Sequence, residues 1–167
     1  MRYNTSGFAC RFRYAVPVNT ALVNDKITKS HYQALAEFRY ALRKFLHFSE
    51  TAAMALGLTP QQHQALLAIK GFPGRQPVTV GELAERLQVK HHSAVGLVDR
   101  LVADRHLRRV ASSGDRRQVG LDLTPRGEAV LEQLSSTHRE QLRRIGPQLS
   151  RLLESLDGVP PANPPRP

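Results

Sequence analysis

The chain has 167 residues, enough for one domain with a real core, and its 41% hydrophobic and 23% charged content is ordinary for a globular protein. Lys and Arg number 24 against 14 Asp and Glu, a formal charge of +10, which favours a polyanionic partner such as nucleic acid or an anionic membrane surface. A single cysteine, Cys10, excludes an internal disulfide framework and a cysteine-rich zinc site. The apolar run from Tyr14 to Val23 is broken by Pro17 and Asn19, too short to span a bilayer or to serve as a signal segment. A cytoplasmic protein without a membrane partner is expected.

Residues 1–29 lack helical periodicity and are basic, through Arg2, Arg11, Arg13, Lys26 and Lys29. They read either as a DNA-contacting arm or as a poorly ordered extension. From Ser30, Leu35, Phe38, Leu42 and Phe45 recur at steps of three and four, which predicts a long helix to about Ala55 ended by Gly57. Thr59-Pro60-Gln61-Gln62 combines a capping threonine, a first-turn proline and a reciprocal glutamine, so a short, largely buried helix starts there. The run Gly71 to Pro77 must be a loop.

Thr79-Val80-Gly81-Glu82 is a second capping box, opening a helix with Leu83, Ala84 and Leu87 inward. A tight turn near Lys90 leads to another helix, about His91–Asp104, with Ala94, Leu97, Val98 and Leu101 inward. Two short helices so joined form the helix-turn-helix pattern. His92, Ser93, Gly96 and Arg100 fall on the side away from the core, with His91 beside them. Glycine inside a helix costs about 1 kcal/mol relative to alanine; Gly96 is either a site of close approach or an unimportant surface glycine.

A strand (LRRVAS), a polar turn carrying Gly114, Asp115, Arg116 and Arg117, and an alternating strand (QVGLDLT) then make a basic-tipped hairpin. Helix-turn-helix plus hairpin is the plan of a winged helix, a shape that reads DNA. Thr124-Pro125 repeats the cap-and-proline start. Leu131, Leu134, Leu142, Ile145, Leu149, Leu152 and Leu156 follow a three-four rhythm with His138 filling the gap, and Gly146-Pro147 should break or sharply kink this helix. So long a leucine seam, together with the helix from Ser30, reads as a dimer interface. The Pro-rich end, residues 158–167, reads as disordered.

With these residues laid out, the chain resembles the multiple-antibiotic-resistance-regulator (MarR) family of transcription factors. Two blocks carry the likeness: VGELAERLQVKHHSAVGLVDRLVADR, and DRRQVGLDLTPRG, in which Asp115, Arg117, Leu123, Thr124 and Gly127 occupy the family's wing pattern. The resemblance covers residues 30–157. It implies a mainly α fold with a small β-hairpin wing, in which helices at about 30–56 and 125–157 dimerise and residues 59–124 bind DNA. It further implies a homodimeric regulator, most often a repressor, on a palindromic operator. Arg117, with Arg116 beside it, would enter a minor groove, Asp115 would brace the wing, and a small aromatic effector would sit between the dimer helices and the winged part. Two departures stand out: Arg105-His106 replaces the glycine that usually ends the recognition helix, and Val95-Gly96 replaces a common Thr-Arg pair.

Other readings are weaker. No nucleophile elbow or Gly-rich phosphate loop is present, so an enzyme is not expected, and no cofactor is called for. Seven histidines make a zinc sensor conceivable, yet none pair at ligand spacing on one helix. Thiol sensing would rest on Cys10 alone, whose neighbouring arginines could activate it. A winged helix used for sequence-blind, nucleoid-associated DNA packaging, or for protein assembly, is the main alternative from another class.

Overall fold

The computed structural model describes residues 26–73, 77–111 and 119–156. Eight elements follow in the order α1 (Lys29–Ala55), α2 (Pro60–Lys70), β1 (Val78–Thr79), α3 (Val80–Leu87), α4 (His91–Ala103), β2 (Leu107–Ala111), β3 (Val119–Leu123) and α5 (Pro125–Leu156). The fold is a winged helix-turn-helix flanked by two long helices. Cys10 and the wing-tip residues Asp115, Arg116 and Arg117 lie outside the described residues.

Local chemistry sets the helix starts. Thr59 accepts from Gln62 N–H while the Gln62 side chain accepts from Thr59 N–H, and Thr79 and Glu82 repeat the arrangement. Thr28 and His31 cap α1 in the same reciprocal way, with histidine in the place usually held by Glu or Gln. At α5, Gly127 N–H donates to Thr124 Oγ1.

Three helix ends share one geometry. After α1, Gly57 (φ 77°) donates to the Met54 carbonyl and Leu58 to the Ala53 carbonyl. After α3, Gln88 (φ 54°) donates to Glu85 and Val89 to Ala84; after α4, Arg105 (φ 60°) donates to Val102 and His106 to Leu101. Each pair satisfies two orphan carbonyls in a Schellman motif. Arg105 therefore fills the left-handed position that glycine would take more cheaply, and the departure from the family pattern leaves the turn intact.

The sheet is three-stranded, in the order β1-β3-β2, and antiparallel. Strand β1 is an addition to the sequence reading: Val78 pairs with Leu121 and Thr79 with Gly120. A two-residue strand leaves no alternating pattern, and its partner lies far along the chain. Pro77 packs so closely on Gly120 that a Cβ there would come within 2.2 Å of the proline ring. A Cβ on Gly127 would sit 2.1 Å from the His106 carbonyl, so the first turn of α5 can approach the start of the hairpin only through glycine.

The core gathers Leu58, Leu66, Ile69, Val78, Leu83, Val98, Leu101, Leu107, Leu121 and Leu134. Most of it belongs to the winged part. Helix α1 buries only Ala34, Ala41 and Ala53, and Leu35 and Leu42 of its apolar stripe are exposed. Helix α5 has no fully buried residue after His138. Of the break or sharp kink expected at Gly146-Pro147, the break does not occur: one helix runs from Pro125 to Leu156. Pro147 and Arg143, whose carbonyl loses its N–H partner, are both exposed, so water can satisfy that carbonyl. Among the described residues no helix is long and apolar enough to cross a membrane.

Candidate nucleic-acid interface

Helices α3 and α4 meet through the turn at Gln88 to Lys90, and α4 buries Ala94, Leu97, Val98 and Leu101. That burial turns His91, His92, Ser93 and Arg100 to the exposed side, with Gly96 half-buried among them. Lys90 gives α4 no side-chain cap, and its first turn holds no acid. Ser93 and Ala94 donate to the Lys90 carbonyl, so the positive end of the helix faces outward without a carboxylate to offset it. Gly96 meets nothing that would exclude a side chain, since a Cβ would lie 3.7 Å from Arg100 Nη1. Packing inside the chain does not demand glycine there.

Sequence reading missed two further features of this face. A polar cleft of about 500 Å³ runs between α2 and α4, bringing the exposed Gln61 and Gln64 alongside His92, Ser93, Gly96 and Arg100. Gln62, at the inner side of the same turn, donates to Asp104 Oδ2 at 3.0 Å and so ties the start of α2 to the end of α4. The hairpin is also held to α4: Arg109 Nη2 lies 2.6 Å from Asp99 Oδ1. Arg108 pairs with Asp122 across the two strands. Nothing in local sequence pattern marks these charges as partners, because the pairs form only once the hairpin folds back.

A second cavity, about 700 Å³, opens between α1, α2 and α5. Its walls are largely apolar (Phe45, Leu46, Leu67, Leu142), and His63, His138, Arg139 and Arg143 supply the polar groups. His63 and His138 stack at 4.8 Å between centroids, 16° from parallel, and Phe45 and Phe48 meet His138 edge-on. Burial, and then the neighbouring His138, pulls His63 below the usual imidazole range. At His106 burial acts first and Arg126 second in the same direction, against an opposing pull from Asp104. Among the described residues, no group of three or more His, Cys, Asp or Glu side chains is placed to hold a metal ion.

A winged helix-turn-helix with long flanking helices defines the class, and comparison with known proteins narrows it. The MarR family profile matches residues 56–118. The transcriptional activatory protein BadR of Rhodopseudomonas palustris is 34% identical over 97 residues, covering 58% of this chain and 55% of BadR. The chain spans about half the length of the curated relatives it matches. The transcriptional regulator Tm0710 of Thermotoga maritima is 30% identical, with 74% of this chain and 92% of Tm0710 covered at a TM-score of 0.51. A mutant of MepR from Staphylococcus aureus, solved bound to an oligodeoxyribonucleotide, superposes with a TM-score of 0.60 over 81% of this chain and 100% of its own, at 19% identity. The winged part of the chain, residues 56–118, is of the MarR family.

Proposed function

We propose that this protein is a homodimeric, sequence-specific DNA-binding transcriptional regulator that responds to a small ligand. The observation that carries the reading is the joining of two DNA-reading elements: the uncapped, acid-free start of α4 and the β2–β3 hairpin clamped to the same helix by Asp99–Arg109. In this reading α4 enters a major groove, and His91, His92, Ser93, Gly96 and Arg100 face the DNA. Arg116 and Arg117 reach the flanking minor groove, where narrow A·T-rich DNA concentrates negative potential, and Asp115 braces them. Gln61 and Gln64 join the contact surface from α2. BadR is named as an activator and the MepR mutant was solved with DNA, and both support the assignment. Repression by occupancy of the operator is the default mode proposed here.

The long helices supply the dimer. Tyr32, Leu35, Tyr40, Leu42, Leu142 and Leu153 are exposed apolar residues on α1 and α5, which a partner subunit would take out of water. Pairing through residues 30–56 and 125–157 would cover them and set two copies of the 59–124 part on an inverted repeat, half-sites about 34–36 Å apart. A small aromatic effector fits the cavity between α1, α2 and α5, where Arg139 and Arg143 stand beside His63 and His138 in a largely apolar chamber. Binding there would change the spacing of the two recognition helices. The protein would act in the cytoplasm on nucleoid DNA.

Selection of bound duplexes from a random pool tests the reading. An inverted repeat with one-turn spacing is the expected result. Equal retention of all sequences, with the same salt slope, would instead assign the chain to DNA packaging.

A further inference from the structure

Among the described residues, two buried side-chain polar atoms lack a hydrogen-bond partner: His106 Nδ1 and His138 Nε2. Both sit where the winged part is joined to α5. His138 lies on α5 and stacks on His63 of α2. His106 lies between the end of α4 and β2, and its carbonyl accepts from Thr124 N–H and Thr124 Oγ1 while crowding Gly127 of α5. Native structures rarely leave buried polar atoms unmatched, and two at the same pair of joints form a pattern.

We propose that these histidines make the attachment of the winged part to α5 proton-sensitive, so that mild acidification loosens both joints and repositions α4 relative to the long helices. The chemistry is specific at each joint. His138 Nδ1 faces the Leu134 carbonyl, and since a carbonyl can only accept, Nδ1 carries the proton and Nε2 is the bare lone pair. That Nε2 is buried with no donor facing it. A proton on His63 would place a cation against the face-stacked His138 ring. Around this pair α1 presents Phe45, Phe48 and Ser49, α2 presents Gln64, and α5 presents Arg139 and Arg143. None of the described residues lining the cavity is acidic. At the second joint α5 presents Arg126, and only Asp104 of the α4 end offsets it.

The direction follows from linkage. His63 and His106 titrate lower in the folded chain than in the unfolded one. Their contribution to stability is complete above the unfolded value of about 6.5 and is lost as pH falls from there through the folded values. DNA affinity can also respond to pH through the contact surface itself, independently of these joints. Only comparison with variants separates the two effects.

The experiment uses the full chain and two readouts, one independent of DNA. Hydrogen exchange and urea midpoints are followed from about pH 7.5 to about pH 5.5, in wild type, His63→Phe/His138→Phe, and His106→Leu. His63→Gln serves where the double variant does not fold. Wild type should lose protection in α2 and the first half of α5 on acidification, and each variant should lose visibly less at its own joint. Affinity for a selected duplex, relative to the variants, should fall about tenfold over the same interval. Equal acid response in wild type and variants, or no loss of protection in wild type, would overturn the proposal. Failure of the DNA readout alone, with exchange behaving as expected, would leave the switch standing and count against the DNA-binding function on which its consequence rests.

Discussion

Asp99 on the outer side of α4 and Arg109 on β2 lie 2.6 Å apart, so the helix that faces outward and the strand that leads to the wing are held by one ion pair. Both side chains are substantially exposed, and water screens such pairs to about 0–1 kcal/mol. Their role is therefore geometric.

Asp99→Ala and Arg109→Ala should each change the urea midpoint little, while lowering affinity for a selected duplex by up to about fivefold, the equivalent of that same energy. The double variant should be no worse than the weaker single one. Fully additive losses in a double-mutant cycle would mean that each side chain touches DNA separately and that the pair does not position the hairpin.

Arg105 occupies a left-handed backbone position that favours glycine. Left-handed strain on a side-chain-bearing residue runs to about 1–2 kcal/mol, offset in part by the extra unfolded-state freedom of glycine, about 0.5–1 kcal/mol. Arg105→Gly should raise stability by roughly 0.5–1 kcal/mol, read by urea unfolding with an unchanged slope. Destabilisation would show that the arginine side chain makes interactions worth more than the strain.

What was legible in the sequence was local. The threonine caps at Thr59, Thr79 and Thr124 announce themselves within four residues, and the inward stripe of α4 repeats over a single helix. The parts that escaped are those in which distant segments meet. Strand β1 exists only because β3 comes alongside, and His63 and His138 stack across 75 positions of chain (138 minus 63). The leucine rhythm of α1 was legible as an apolar stripe. An isolated period cannot by itself distinguish a face turned to its own core from one left open, and here Leu35 and Leu42 are open. Pro147 does not end α5, for a related reason: its cost depends on whether water reaches the freed carbonyl.

The open stripe makes a test of assembly. Wild type should sediment at twice the 18.7 kDa of one chain. Leu35→Glu combined with Leu153→Glu, both on exposed positions, should yield monomers with helical content largely retained. Retention of the dimer would place the interface elsewhere. Since a dimer engages two half-sites together, the monomer should also lose most of its affinity for an inverted repeat while keeping nonspecific binding.

On the proposed DNA-binding face, substitution would tell side chains that hold the duplex from side chains that choose its sequence. Arg117→Ala should weaken binding, most on duplexes with A·T-rich flanks, and reduce the salt slope by roughly 0.9 for each phosphate whose charge the guanidinium offsets. Equal loss on every flank would place Arg117 on the phosphate backbone rather than in the minor groove, and unchanged affinity would remove the wing from the interface. His92 stands at the open start of α4, next to the cleft shared with Gln61 and Gln64. His92→Ala should change which base pairs are preferred, by about 1–3 kcal/mol at one position of each half-site. Equal losses on every sequence would make His92 a phosphate-binding residue, and the base-reading role would then pass to Ser93 and Arg100 on the same face.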